Sequence, residues 1–213
     1  MDAQKISDAV NIPGSPYRGS AQITREQFMF QETRITARLL LEGIPESEVI
    51  SRIYRSNLFQ YPTEKSLKHT ARSCLARIHA LNDDSLITTI AEGGIVSAKQ
   101  VCLYAMMKRY SLVRDFMLDV IGTKYQQQDY SFSRRDINIF MLHAQEQDTS
   151  AASWADSTVR KICSVLMRIL TENGYTDTIN ATELSPVMIC PALEDSIRRS
   201  GSVYMLPAFN CLQ

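Results

Sequence analysis

Residues 156–170, DSTVRKICSVLMRIL, carry apolar side chains at the i, i+3, i+4, i+7 spacing of an amphipathic helix. The apolar face of this predicted helix consists of Val159, Ile162, Cys163, Leu166, Ile169 and Leu170. The opposite face has no acid, and its members are Ser157, Arg160, Lys161, Ser164 and Arg168. Such a helix buries one side in a core and presents the other to phosphates and base edges in a DNA groove. A solvated surface helix that lacks acids has the same pattern, so the helix alone leaves both interpretations open.

The composition describes a globular protein without a net charge. Of the 213 residues, 45% are hydrophobic and 22% are charged, which are ordinary proportions for a folded protein. The 23 basic residues equal the 23 acidic ones, so the molecule as a whole has no net attraction to polyanions. Any contact with nucleic acid must therefore come from local basic patches, and its affinity must fall as the salt concentration rises.

Glycine and proline are scarce, which favours helices over strands and turns. The chain has 8 glycines and 7 prolines, and long stretches contain neither. No apolar run reaches the roughly 18 residues that a membrane-spanning helix needs. The opening residues, MDAQKISDAV, lack the apolar centre of a secretion signal, and the 5 cysteines form no CxxC pair. We therefore expect an all-α cytoplasmic protein with reduced cysteines.

The order of predicted elements divides the chain into a leader and three parts. Residues 1–20 are rich in glycine and proline and are predicted to be a mobile leader. Residues 21–82 and residues 130–213 are each predicted to form a helix-turn-helix-like unit. Residues 83–129 contain two strongly apolar helical segments and are predicted to be the central scaffold that joins the two units.

The first unit contains three predicted helices. Thr24 opens the first helix in a capping-box pattern, and Gly43 ends it. Pro45 opens a shorter second helix, and Thr63 starts a third helix with an apolar inner face. The outer face of the third helix carries Lys65, Lys68, His69 and Arg72. Two helices followed by a third with a basic face is the order of a helix-turn-helix unit, although any three-helix bundle has the same apolar spacing.

The second unit repeats this order. Ser133 and Asp136 form a capping pattern at its first helix, and residues 156–170 form its long helix with a basic face. The mixed polar and apolar residues beyond Gly174 predict either a small β-ribbon wing or an extended strap. The tail at residues 203–209 is apolar enough that we expect it to dock on the core.

The sequence gives little support for catalysis. The 3 histidines are scattered, and His143 has no HExxH partner, which excludes a zinc site of that kind. There is no GxxxxGK[ST] loop, no GxGxxG, no GxSxG elbow and no Cys–His signature. We therefore expect a protein that is not an enzyme, with no cofactor, no metal and no small-molecule substrate.

Six short strings carry a resemblance to a known family. They are NLFQYPTE (57–64), LYAMM (103–107), VRDF (113–116), RDIN (135–138), WADST (154–158) and LPAFN (206–210). In combination they resemble the BrxA family, a core component of the BREX (bacteriophage exclusion) defence systems of bacteria, from about residue 28 to residue 209. The resemblance implies an all-helical, cytoplasmic, DNA-binding protein with helix-turn-helix units. It also implies that the protein acts beside a methyltransferase, ATPases and a phosphatase-like partner.

The family supplies no established site residues, so the predicted site rests on the two basic helix faces. We expect phosphates of double-stranded DNA to be neutralised by Lys65, Lys68, Arg72, Arg160, Lys161 and Arg168. Base edges are within the expected reach of His69, Ser157 and Ser164. Because such faces have few Asn or Gln side chains, little sequence preference is predicted. The competing hypothesis is an adaptor that assembles other BREX proteins and touches DNA only incidentally.

Overall fold

The computed structural model describes residues 15–211, and this part of the chain is built from helices. Its α-helices are α1 (Phe30–Leu41), α2 (Glu46–Arg55), α3 (Glu64–Leu81), α4 (Asp84–Glu92), α5 (Ile95–Arg109), α6 (Ser111–Asp115), α7 (Thr123–Gln126), α8 (Arg134–Gln147), α9 (Thr149–Ala152), α10 (Asp156–Glu172) and α11 (Pro191–Arg199). Two 3-10 helices, Ser20–Thr24 and Val203–Phe209, and one π-helical segment, Phe116–Gly122, complete the set. The all-α prediction is confirmed.

Four of the described α-helices, α3, α4, α8 and α9, begin after a residue whose side chain accepts a backbone hydrogen bond from the first turn. The Thr63 hydroxyl accepts from the backbone N–H of Ser66 at 3.3 Å at the start of α3. At α8 the predicted capping box forms, and the backbone N–H of Ser133 donates to the Asp136 carboxylate at 2.7 Å. These caps satisfy amides that have no partner inside the helix. The predicted starts of α3 and α8 are therefore confirmed.

The predicted start of the first helix is wrong. Thr24 ends a 3-10 helix and its hydroxyl donates to the carbonyl of Ala21 at 2.8 Å, while α1 begins only at Phe30. Between them lies an irregular stretch, residues 25–29, which we call the 25–29 segment. The guanidinium of Arg77 on α3 binds three successive carbonyls of this segment. Carbonyls that point at α3 are not available for helical hydrogen bonds, so α1 starts later than its capping pattern predicts.

The main core draws on all three predicted parts of the chain. It extends from Ile23 to Phe209, and its centre is α5, in which Val101, Leu103 and Met106 are fully buried. The apolar tail docks on this core as expected, because Leu206 and Phe209 are also fully buried. A second, smaller apolar cluster holds α1, α2 and α3 together and consists of Leu39, Val49, Ile53, Phe59, Leu67, Ala71 and Leu75. The main core connects the predicted first unit to the predicted scaffold, whereas the smaller cluster lies within the first unit.

The predicted leader is only partly described. Residues 1–14 lie outside the described residues, whereas residues 15–20 form a turn and the start of the first 3-10 helix. The Ser15 hydroxyl donates to the Asp148 carboxylate at 2.6 Å, and Ser20 is buried. These contacts hold residues 15–20 against the folded chain.

The helix that follows α5 contains a π-helical segment that the sequence pattern did not predict. The segment Phe116–Gly122 continues α6 and runs directly into α7. A Cβ atom on Gly122 would lie 3.1 Å from the Cβ of Pro207 in the docked tail. Glycine therefore permits the close approach of this segment to the tail.

The stretch between α10 and α11 is an extended strap. Within residues 15–211 there is no strand, and Ser131 with Glu183 forms an isolated antiparallel bridge. The backbone N–H of Leu184 donates to the carbonyl of Tyr130 at 2.7 Å, and this contact fixes the strap beside the start of the second unit. Of the two predicted alternatives, the strap is the one that forms. In the described part of the chain, no helix is long and apolar enough to cross a membrane.

Asp83 connects the start of α4 to α11. Its carboxylate accepts a hydrogen bond from the backbone N–H of Ser85 at 2.9 Å and thereby caps α4. It also accepts from the Ser196 hydroxyl at 2.6 Å and the Arg199 guanidinium at 3.0 Å. Burial raises the pKa of Asp83, but these hydrogen bonds outweigh burial and lower the pKa to about 2. The ionised carboxylate therefore stabilises the folded chain.

Replacing Asp83 should change how stability depends on pH. Because its folded pKa of about 2 is below the roughly 3.9 of an unfolded aspartate, ionisation contributes stability above about pH 4, which is lost as the pH falls toward 2. We expect Asp83→Asn to lower the free energy of unfolding at pH 7 by about 1 kcal/mol, after allowance for solvent screening. The difference from the wild type should disappear near pH 2. Urea unfolding across this pH range measures it.

The exposed neighbour Asp84 provides the matched control for this experiment. We expect Asp84→Asn to leave the pH dependence of unfolding close to that of the wild type. An equal loss in both variants, or a loss in Asp83→Asn that persists at pH 2, would contradict the role of the Asp83 carboxylate.

Candidate nucleic-acid interface

The first predicted basic face lies on the outer side of α3, as expected. Lys65, His69 and Arg72 are exposed, Lys68 is half-buried, and the predicted inner residues are buried. The Lys68 ammonium lies 3.3 Å from the Glu64 carboxylate and 4.2 Å from the centre of the Tyr54 ring. Hydrogen bonds from Tyr54 and Lys68 lower the pKa of Glu64, so this acid stays ionised beside the lysine. Lys68 therefore offers less free positive charge than its neighbours on this face.

His69 connects the first face to a buried polar network. Its Nε2 lies 3.5 Å from one carboxylate oxygen of Glu26, whose side chain is 5% exposed. The other oxygen of Glu26 accepts a hydrogen bond from the Tyr110 hydroxyl. Burial raises the pKa of Tyr110, which keeps the phenol protonated as a donor, and the Arg77 guanidinium lies 5.6 Å from the centre of its ring. These partners replace the hydrogen bonds to water that the Glu26 carboxylate loses when it is buried.

Arg77 belongs to this network and not to the basic face. By sequence it counts as one of four basic residues between Tyr61 and Leu81, but it is only 1% exposed. Its guanidinium donates to the carbonyls of Phe28 at 2.7 Å and Gln27 at 2.6 Å, and also to the carbonyl of Glu26. The contribution of Arg77 is therefore to position the 25–29 segment.

The second predicted basic face lies on the outer side of α10. Ser157, Arg160, Lys161 and Arg168 are exposed, and Ser164 is half-buried. The Ser164 hydroxyl donates to the carbonyl of Arg160 at 3.0 Å, so its proton is used within the helix. Within residues 15–211, no ion pair involves Arg160 or Lys161, and the same holds for Lys65 and Arg72 on α3. Each face therefore carries two cations that take part in no ion pair within the described residues.

The two faces meet at the 25–29 segment. The Arg168 guanidinium donates to the side-chain oxygen of Gln27 at 3.2 Å, and His69 contacts the adjacent Glu26. Arg25 is exposed in the same segment. The segment is thus the physical link between α3 and α10, and the buried guanidinium of Arg77 holds it from the side of the core. We call α3, the 25–29 segment and α10 together the joined basic surface.

Sequence reasoning placed the members of each face correctly but missed the segment that connects them. One signal was present in the pattern of α3. Thr70, Ser73 and Arg77 follow the i, i+3, i+7 spacing beside the apolar stripe, and all three are buried. A charged residue at a buried helical position requires partners, and main-chain carbonyls of a non-helical stretch are one such set.

One acid borders the end of the second face. Burial raises the pKa of Glu172 at the end of α10, and the cations of Lys99 and Arg168 partly offset this effect. The Lys99 ammonium also donates to the backbone carbonyl of Glu172 at 2.9 Å. The C-terminal end of α10 therefore has both signs of charge, whereas its N-terminal half carries only Asp156 as an acid. The strongest positive potential on α10 is expected around Arg160 and Lys161.

Comparison with known proteins identifies the family. The family model described as BrxA matches residues 16–201. The chain belongs to the BrxA family. It is 38% identical to a BREX protein BrxA from Bacillus cereus (strain H3081.97) over 153 residues, which cover 72% of this chain and 76% of the relative. It is 28% identical to a BREX protein BrxA from Escherichia coli O9:H4 (strain HS), with 81% of each chain covered.

A solved structure has a similar fold. The crystal structure of an uncharacterized protein from Magnetospirillum magneticum superimposes with a TM-score of 0.76 at 23% identity, covering 89% of this chain and 96% of that one. This similarity extends over nearly the whole helical arrangement described above. Membership of the BrxA family supports a component of a BREX phage-defence system, and it suggests other BREX proteins as partners.

The hydroxyl of Tyr110 provides a test of the buried network beneath the surface. We expect Tyr110→Phe to lower the free energy of unfolding by about 2 kcal/mol, because it leaves one oxygen of the buried Glu26 carboxylate without its donor. Tyr54→Phe is the matched control, since its hydroxyl donates to the exposed Glu64 carboxylate at 2.6 Å. Chemical denaturation of both variants measures the difference. Equal effects of the two substitutions would show that Glu26 needs no buried donor.

Proposed function

We propose that this BrxA-family protein binds double-stranded DNA through the joined basic surface. The observation that carries the proposal is the placement of four exposed cations without ion pairs on two helix faces that meet at one segment. These cations are Lys65, Arg72, Arg160 and Lys161. Cations that are not neutralised within the protein are free to replace the counterions of DNA phosphates, and the release of those counterions drives binding.

The proposed contacts are mainly with phosphates. Arg168 adds a fifth cation near the junction, while Lys68 contributes less because Glu64 holds it. For base edges the surface offers Ser157 and His69, but His69 already faces Glu26. The Ser164 hydroxyl donates to its own helix and has only acceptor capacity left for a base. Few bidentate donors face outward, so little sequence preference is expected.

The same proposal includes the setting in which the protein acts. We propose a non-enzymatic component that acts in the cytoplasm together with other BREX proteins. The two helix-turn-helix-like units remain a prediction, with α1 to α3 forming the first and α8 to α10 the second. The short helix α9 separates α8 from α10 in the second unit, where a bare turn would join them in the usual motif. The adaptor hypothesis differs from DNA binding in one measurable respect, the dependence of DNA affinity on these cations.

Neutralising the second face should weaken DNA binding and reduce its salt dependence. We expect Arg160→Gln with Lys161→Gln and Arg168→Gln to raise the Kd for a short duplex at least about tenfold at low salt. For the wild type, log Kobs should fall with log salt at a slope of about −3 or steeper, and the triple variant should lower the magnitude of that slope by about 2. Fluorescence anisotropy at several salt concentrations measures both quantities.

A control variant with the same change in net charge separates local contact from overall charge. Arg52, Arg198 and Arg199 each pair with an acid away from the two faces, so their replacement by Gln should leave DNA affinity within about twofold of the wild type. If both triple variants lose the same affinity, only net charge matters and the joined basic surface is not the interface. If neither loses affinity while binding to other BREX proteins is lost, the adaptor hypothesis is correct.

A further inference from the structure

The outer side of α8 carries two exposed aliphatic side chains among polar ones, and no other described element covers this pair. Ile139 is 43% exposed and Leu142 is 55% exposed, and the two lie one turn apart. Branched aliphatic side chains at this spacing on a helix usually pack against another element. The inner residues of the same helix, Ile137 and Met141, are already buried in the core. The exposed pair is therefore an additional apolar surface.

This face borders a cleft between α8 and the π-helical segment. The cleft has a volume of about 440 Å³. Its wall is apolar where Val120, Phe140 and Ala144 line it, and Ile139 forms part of the same wall. π-Helical turns occur often at functional sites, because they displace side chains from regular helical positions. In this protein the π-helical segment contributes Asp119 and Val120 to the cleft.

The charged groups in the cleft are mostly acidic. Asp119, Asp129 and Asp136 line it together with a single lysine, Lys124. The Lys124 ammonium lies 3.0 Å from Asp129 and 3.3 Å from Asp136, so it is already shared between two carboxylates. The uncharged polar groups and the histidine of the lining are Tyr17, Thr123, Gln127, His143 and Gln147.

Asp119 is the carboxylate in this cleft that lacks a cation. Within residues 15–211, no hydrogen bond or ion pair is made by its side chain. Asp119 is exposed at the rim of the cleft, and partial desolvation together with the nearby Asp115 raises its pKa. Arg114 offsets this shift only in part, because it pairs with Asp115 at 2.9 Å. An incoming cation would therefore relieve an unfavourable charge at this position.

The charge of the cleft selects the chemistry of the occupant. Nucleic acid and the anionic headgroups of a membrane carry the same sign as Asp119 and are repelled by it. A wholly aliphatic segment would leave the carboxylate without a counter-ion. A polypeptide with both lysine or arginine and aliphatic side chains satisfies the acid and the apolar pair together, as amphipathic helices do when they lie in a groove.

We propose that the outer face of α8 and the adjoining cleft dock a basic amphipathic helix of a partner protein. Aliphatic side chains of that helix pack on Ile139 and Leu142, and a lysine or arginine enters the cleft beside Asp119. The protein then has two surfaces of opposite charge. The basic surface suits DNA, and the acidic, apolar one suits a protein partner.

The test uses the full chain and a labelled peptide of about 18 residues with leucines at helical spacing and lysines between them. We expect this peptide to bind the wild type, and Ile139→Ser with Leu142→Ser to raise its Kd about tenfold. Asp119→Asn should raise the Kd by several-fold and make it less dependent on salt. A twin peptide with glutamate in place of lysine, and another with serine in place of leucine, should bind at least about tenfold more weakly. Fluorescence anisotropy measures all of these.

Matched variants elsewhere on the surface make the result specific to this site. Ile95→Ser with Val96→Ser removes an apolar pair that is 62% and 68% exposed, and Glu48→Gln removes an exposed acid. Both should leave the peptide Kd unchanged. Equal loss in these controls, or no loss in the α8 and Asp119 variants, would overturn the proposal. It would also be overturned if sedimentation showed a dimer of this chain that the α8 variant dissociates, because a second copy would then be the occupant.

Discussion

The guanidinium of Arg77 binds three successive carbonyls of the 25–29 segment, and the arrangement of the molecule around α3 depends on this contact. A buried cation is unfavourable unless its donors are satisfied, and here main-chain oxygens satisfy most of them. Because these carbonyls accept from Arg77, they do not accept the backbone hydrogen bonds of a helix, and α1 cannot begin at Thr24. One buried side chain thus sets both the start of a helix and the position of the segment that joins α3 to α10.

The elements that the sequence predicted well are those whose signals are local. The starts of α3 and α8 depend on caps that lie within three residues of the amides they satisfy, as in Ser133 with Asp136. The start of α1 depends on Arg77, which is 49 residues away from Phe28 in the chain. The π-helical segment likewise packs against the docked tail, because Gly122 lies against Pro207, which is distant in the chain. Contacts between residues that are far apart in the chain cannot be recognised from hydrophobic periodicity or from capping patterns.

The predictions for the candidate site follow the same distinction between local and distant contacts. Helical spacing placed the exposed cations of α3 and α10 correctly, because exposure follows from the phase of the apolar stripe. It did not reveal that Arg168 contacts Gln27, which is 141 residues away. The pair of Glu64 and Lys68 is different, because its members are only four residues apart and helical spacing alone would have predicted it. Although the net charge is zero, some of the positive and negative residues form separate patches on the surface. The exposed cations of α3 and α10 lie on the joined basic surface, while Asp119, Asp129 and Asp136 line the cleft beside α8.

The most direct test of this organisation is the DNA affinity of Arg77→Lys, measured on protein whose helical content matches that of the wild type. Arg77 is 1% exposed and cannot itself reach DNA, and lysine keeps its charge but lacks the planar fork that binds several carbonyls. We expect the Kd for duplex DNA to rise about tenfold, whereas Arg72→Lys on the exposed face should have little effect. An unchanged Kd in Arg77→Lys would contradict the conclusion that the 25–29 segment joins the two basic faces into one DNA-binding surface.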